Sequence, residues 1–289
     1  MIENWSEKIK ELSDSWGAGS EKHCAALENA RALARESKFE DALTAYSKLF
    51  EEGRDTSPFI GARLSYVLSD MAELGKVYEP ALRALLNFRE AHEQSIRLGQ
   101  SDDLVREEWT ALCQYTDVNR QIEFYDSLES EPNKNEEVIT IVRRIIWHEL
   151  IERKRYDEFS PSELATFLKA IAQYAGPTLS PNSILKKAMP EMLDFPDFSE
   201  SIAKQTIQQC AAIYECAIGL NKQSIAKKAL KLATYYERTG RAYSFFVNAA
   251  YRAGNNSNAQ KLIDEAKSTL PENEFKTLMY TAEKLGLEP

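Results

Sequence analysis

The stretch from Arg241 to Pro271 (RAYSFFVNAAYRAGNNSNAQKLIDEAKSTLP) holds two apolar-striped patterns separated by Gly254-Asn255-Asn256 and closed by proline. On both sides of the break, apolar residues recur three and four positions apart, the spacing of a helix with one buried face. A looser copy lies immediately upstream. A two-helix unit of roughly thirty residues cannot bury its apolar face alone, so it must stack on neighbours. The pattern therefore predicts an array of helix pairs.

The rest of the 289-residue chain keeps the same helical spacing, and no segment alternates long enough for a half-buried strand. The predicted class is all-α. Helices are expected over Glu3–Trp16, closed by Gly17-Ala18-Gly19, then over Glu21–Glu36, Phe39–Glu52, Pro58–Leu74 and Tyr78–Leu98. Pro80 is tolerable in a first turn. Ser101-Asp102-Asp103 reads as an N-terminal cap, and helices follow to Tyr115 and over Val118–Leu128. A polar linker spans Glu129–Glu137, a long helix Val138–Arg153, and Ser160-Pro161-Ser162-Glu163 opens another helix. A break is expected over Gly176–Pro181 and an irregular crossing over Pro190–Ser199. Regular helices then follow at 200–218, 222–237, 241–253, 257–269 and 272–285. This divides the chain into an N-terminal helix and flexible segment (1–19), an irregular helical-repeat array (20–175), a connecting segment (176–199) and a regular C-terminal array (200–289). One continuous superhelix and two domains both fit that pattern.

Small residues mark where paired helices approach closely. Ala259 precedes Ile263, Ala266 and Pro271, and the preceding helix carries Tyr243, Phe246, Val247 and Ala250. Thirty-three residues upstream of Ala259 stands Ala226, with Leu230 and Ala233 behind it and Cys210, Ile213, Tyr214 and Ala217 before it. Ala30, Leu33, Phe39, Ala42, Tyr46 and Leu49 carry the pattern near the N-terminus, and Gly75, Tyr78, Ala81 and Leu85 a degraded copy. These positions resemble the tetratricopeptide repeat, a unit of about 34 residues. The resemblance covers about half the chain; between 105 and 200, Trp109, Leu112 and Tyr156 suggest helix pairs without the full pattern.

The resemblance implies an α-solenoid of stacked antiparallel helix pairs that holds a peptide or protein partner. The first helix of each unit would line a concave groove. In the last unit the groove positions would be Arg241, Ser244, Asn248, Tyr251 and Arg252. An aromatic ring and two guanidinium groups around an amide suit the main chain or carboxylates of an extended peptide. Family members that clamp a peptide carboxyl terminus carry a lysine four residues before the groove asparagine. Ser244 stands there in this chain, so that mode is not implied.

Charge narrows the partner. Lys and Arg number 36 against 45 Asp and Glu, a formal net charge of −9, which argues against general nucleic-acid binding. Between Leu220 and Asn255 the balance reverses: Lys222, Lys227, Lys228, Lys231, Arg238, Arg241 and Arg252 face only Glu237. This basic patch predicts attraction for an acidic partner segment, screened by salt, or forms an ordinary lysine-rich solvent face. Aromatics able to stack on bases within it are confined to Tyr235, Tyr236 and Tyr243, too few to favour nucleic acid. Cys24, Cys113, Cys210 and Cys216 lack CxxC spacing and read as half-buried core residues in a reducing compartment. MIENWSEKIKEL has no apolar signal region, and no window reaches the ~20 apolar residues of a membrane span. A cytoplasmic protein is expected.

No segment supplies a catalytic constellation. His148-Glu149-Leu150-Ile151-Glu152 has the first half of a zinc-binding HExxH helix but ends on glutamate where the second imidazole is needed. His23 and His92 lack a partner at a meaningful spacing. Asp102-Asp103 is followed by Arg106 where an aspartate-rich magnesium motif needs a third carboxylate. The sequence thus predicts a non-catalytic helical-repeat adaptor without metal or cofactor. The alternative is a regulatory sensor that binds a small ligand or short signalling peptide.

Overall fold

A computed structural model describes residues 21–55, 59–179 and 196–287, and every element among them is helical. The expected N-terminal helix and the proline-rich stretch 180–195 lie outside the described residues. The chain divides into two compact units, Met1–Ile146 and Trp147–Pro289. No helix among the described residues is long and apolar enough to cross a membrane.

In the first unit, α1 (Glu21–Arg35) pairs with α2 (Phe39–Glu52). A short α3 (Ile60–Ala62) runs through a π turn (Arg63–Val67) into α4 (Leu68–Gly75), which packs on α5 (Glu79–Arg97). Then come α6 (Asp103–Thr116), α7 (Arg120–Glu129) and α8 (Glu136–Ile145). The helix expected over Pro58–Leu74 is thus split by the π turn, a feature that widens the helical ring by one residue. Leu27, Tyr46, Phe50, Met71, Leu85 and Leu112 belong to one buried apolar cluster.

Charge is buried beside that cluster. Glu108 accepts from Arg63 Nη2 at 2.5 Å, lies 3.2 Å from Arg54 Nε, and contacts His92 Nε2 at 2.5 Å. Arg63 also donates to the Phe50 carbonyl at 2.8 Å and stacks over the Phe50 ring. Burial pushes the Glu108 carboxyl up, but hydrogen bonds from His92 and Arg63 outweigh it and leave the group below its ordinary range. One helical layer away, Arg120 grips Glu93 through Nε and Nη2 at 2.9 and 2.6 Å.

The second unit comprises α9 (Trp147–Glu152), α10 (Pro161–Leu179), α11 (Pro196–Gly219), α12 (Gln223–Tyr236), α13 (Gly240–Arg252), α14 (Asn256–Thr269) and α15 (Glu272–Lys284). Three expectations are corrected. The irregular crossing predicted over Pro190–Ser199 is already helical from Pro196, because a proline fits the first turn of a helix. The helix predicted over Val138–Arg153 breaks at Ile146 (φ −94°, ψ 18°), where the two units divide. Ile146 leaves the helical region there, and Trp147 starts a new short helix. The break predicted from Gly176 onward also comes later. Helix α10 continues through Gly176 and Pro177 to Leu179, since a proline so near the helix end removes only one backbone bond. By the same division α10 belongs with the second unit, where it packs on α11.

From α11 onward the packing repeats. Helix α11 contacts its own partner α12 and the next first helix, α13; α13 likewise contacts α14 and α15. Cys210, Ile213, Tyr214 and Ala217 on α11 are buried, as are Tyr243, Phe246, Val247 and Ala250 at the same positions of α13. Tyr214 meets the Phe246 ring edge-on at 5.2 Å. Ala226, Ala229 and Ala233 on α12 recur as buried Ala259, Leu262 and Ala266 on α14. The turns repeat too. Asn221, Gly254 and Gly286 have φ of 57°, 73° and 69°, in steps of 33 and 32 residues. The amide after each of them, on Lys222, Asn255 and Leu287, closes onto a carbonyl five residues back. This is an all-α helical-repeat arrangement built on close approach at alanine.

Caps follow the sequence reading. Asp102 accepts from the Val105 amide at 2.7 Å, and Ser160 and Glu163 form a reciprocal capping box. The cysteines follow it in part. Cys113, Cys210 and Cys216 are buried and unpaired, whereas Cys24 is exposed, because α1 turns Leu27 and Ala30 inward instead.

Candidate functional site

Helices α9, α11 and α13 enclose a cleft of about 450 Å³ in the second unit. Helix α11 supplies Gln205, Gln208 and Gln209, whose spacing of three and four places all three amides on one face. Helix α13 supplies Phe245, Asn248 and Arg252, and α9 supplies His148 and Glu152. Ala211, Ala212 and Ala249 keep the floor low enough for the cleft to stay open.

At its inner end Glu215 is buried yet fully engaged. The Tyr156 hydroxyl donates to Glu215 Oε1 at 2.8 Å, and Arg252 Nε lies 3.1 Å from Oε2. Arg252 Nη2 also donates to the Glu152 carbonyl at 3.2 Å. Burial pushes the Glu215 carboxyl above its ordinary value against the pull of Tyr156 and Arg252. Burial alone pulls His148 down to about 4, so its imidazole is neutral at physiological pH. Tyr156 reaches Glu215 by passing directly beneath Gly219, where an added Cβ would strike the ring far inside van der Waals contact.

Of the five groove positions read from the sequence, Asn248 and Arg252 line the cleft. Arg241 instead pairs with Glu200 at 2.8 Å, and Ser244 donates to the Gly240 carbonyl at 2.8 Å within its own helix. Tyr251 is exposed at 40% outside the cleft lining. Neither arginine is therefore a free cation, and the Glu152 carboxylate in the cleft lining has no ion-pair partner among the described residues. Lys222, Lys227, Lys228, Lys231 and Arg238 are all exposed on or beside α12. None of them lines the cleft, so the basic patch and the groove residues are not brought together.

Sequence reasoning missed Gln208 and Glu215. The signal was present: stepping Arg241 and Asn248 back by the 33-residue period lands on those two residues. Gln205, Gln209 and Tyr156 carried no comparable mark.

Among the described residues, no group of three or more His, Cys, Asp or Glu side chains is arranged to hold a metal ion. The fold and cleft define a helical-repeat protein with an amide-lined groove. Comparison with protein-family models, curated proteins and solved structures finds no match.

Proposed function

We propose that the chain is a non-catalytic adaptor of tetratricopeptide-like build that binds a peptide or protein partner along its first helices, needing no metal or cofactor. The observation that carries this reading is the convergence of Gln205, Gln208, Gln209 and Asn248 on one open cleft. A carboxamide both donates and accepts, so a ladder of them matches the alternating N–H and C=O groups of an extended main chain. An acidic partner segment, by contrast, suits the exposed lysines of α12 better than a cleft whose Arg252 is already paired with Glu215. The unpaired cysteines fit the reducing cytoplasm.

A photo-crosslinking amino acid placed at Asn248 in the full chain, in its native cells, should capture a discrete partner, and one at Tyr280 should not. Equal labelling at both positions, or none at Asn248, would refute the reading. A regulatory sensor is the second reading, favoured by a cleft volume within the roughly 300–1,000 Å³ range of small-molecule sites. Thermal-shift screening separates the two, because a sensor gains stability with a small molecule and an adaptor only with its partner.

A further inference from the structure

A second hollow of about 370 Å³ opens beside the amide cleft, lined by Trp147, Phe167, Ala170, Ile171 and Tyr174. Gln205 and Gln209, one helical turn apart on α11, line both spaces. The two are therefore halves of one groove. The halves differ in chemistry. Trp147 and Phe167 stack at 5.2 Å with rings 26° apart, and Phe159 closes on the far edge of Phe167 at 6.2 Å. Trp147, Phe159 and Ile171 are buried, whereas Tyr174 is 56% exposed and Ala170 also faces solvent, so the outer rim of the hollow is open among the described residues. The open rim leads from solvent onto an aromatic floor with room for one apolar side chain. In the amide half Arg252 and Glu215 pair with each other, and the Glu152 carboxylate has no ion-pair partner among the described residues.

Resting on the adaptor reading above, we propose that this groove takes an extended peptide with one aromatic or large aliphatic anchor and a lysine or arginine close by. The anchor enters the hollow between Phe167, Ala170 and Tyr174. The main chain crosses Gln205 and Gln209 and continues over Gln208 toward Asn248, and the cationic side chain meets Glu152. From Gln205 to Glu215 helix α11 rises roughly 15 Å, the length of about four or five extended residues. Anchor and cation therefore fall within one short motif. The arrangement selects against acidic peptides, because the carboxylate of Glu152 repels them and Arg252 is held by Glu215.

The test selects binders from a random 12-residue peptide library displayed against the full chain, then measures the enriched peptides by fluorescence anisotropy. The expected peptides carry Trp, Phe, Tyr or Leu within five residues of Lys or Arg. Ala170→Arg, at an exposed position, should weaken them at least tenfold. Tyr174→Ser should do the same and serves if Ala170→Arg alters the melting temperature. Glu152→Gln should weaken them three- to tenfold and reduce their salt dependence. Enriched peptides that are acidic, or anchored peptides indifferent to Ala170→Arg and Tyr174→Ser, overturn the proposal. If such peptides still weaken with Asn248→Ala, the adaptor reading survives and the anchor subsite alone falls. Recovery of no peptide, or indifference to all four substitutions, removes both.

Discussion

Between Glu21 and Ile145 the helices are cross-linked by charge placed inside the protein, whereas from Pro196 to Lys284 they are spaced by small residues at a repeating step. In the first unit Arg63 and Glu108 are 1% and 2% exposed and tie the π turn to α6, while Arg120 and Glu93 tie α7 to α5. In the second, Glu215 on α11 pairs with Arg252 on α13, but the repeated positions Ala217/Ala250, Ala226/Ala259 and Ala233/Ala266 are buried alanine, and turns recur every 32 or 33 residues. The two units therefore resist substitution in different ways. A buried ion pair is costly to break and nearly neutral to replace entirely, because one abandoned charge has no water to solvate it. An alanine seam fails by addition, since any larger group must force the helices apart.

The largest expected effect therefore lies in the first unit. Glu108→Ala leaves Arg63 buried without its carboxylate and should destabilise by about 3–5 kcal/mol, as breaking a buried pair does. Urea unfolding monitored at Trp109, which is fully buried on the same helix, should show the loss. A change under ~1 kcal/mol, the scale of a surface pair, would mean the cluster is solvated in solution.

Gly219→Ala tests the second unit by addition. The new methyl meets the Tyr156 ring, which must swing away and release Glu215. A loss of about 1–3 kcal/mol is expected, with the amide cleft perturbed and the first unit untouched. Retention of wild-type stability would show that Tyr156 does not occupy this position.

The smallest effect is a pH dependence that separates the units. His148 titrates at about 4 when folded, below the ordinary ~6.5, so between these values the unfolded chain binds the extra proton. The second unit should lose stability as pH falls from ~6.5 toward 4, and His148→Gln should flatten that slope. Glu108 has the lowered pKa of a paired carboxylate. Its contribution to the first unit holds above the ordinary carboxylate range and is lost only at more acid pH. Identical melting curves for wild type and His148→Gln from pH 7 to 4 would contradict the assignment.

What the chain revealed in advance follows the same division. The 33-residue echo from Cys210 to Tyr243 and from Ala226 to Ala259 is visible because repetition makes each copy evidence for the other. Caps such as Asp102 and Ser160–Glu163 act within four residues and are equally legible. The buried cluster was not: Arg63, His92 and Glu108 are far apart in sequence, and each alone looks like a solvent-facing helix residue. Arg241 and Arg252 were read as free cations for the same reason. Their partners, Glu200 and Glu215, lie 41 and 37 residues upstream, and no local spacing announces them. The break at Ile146 was hidden because Val138–Arg153 keeps helical periodicity on both sides of it.

The claim that the second unit is held together neighbour to neighbour is tested most directly by hydrogen exchange on the full chain carrying Gly240→Ala. Gly240 lies against the Glu274 backbone carbonyl, and an added Cβ would collide with it, prising α15 from α13. A graded response is expected: protection falls most in 272–284, less in 240–269, and least in 200–219, with the first unit unchanged. A uniform loss across 196–284 would mean one indivisible globule and would contradict it.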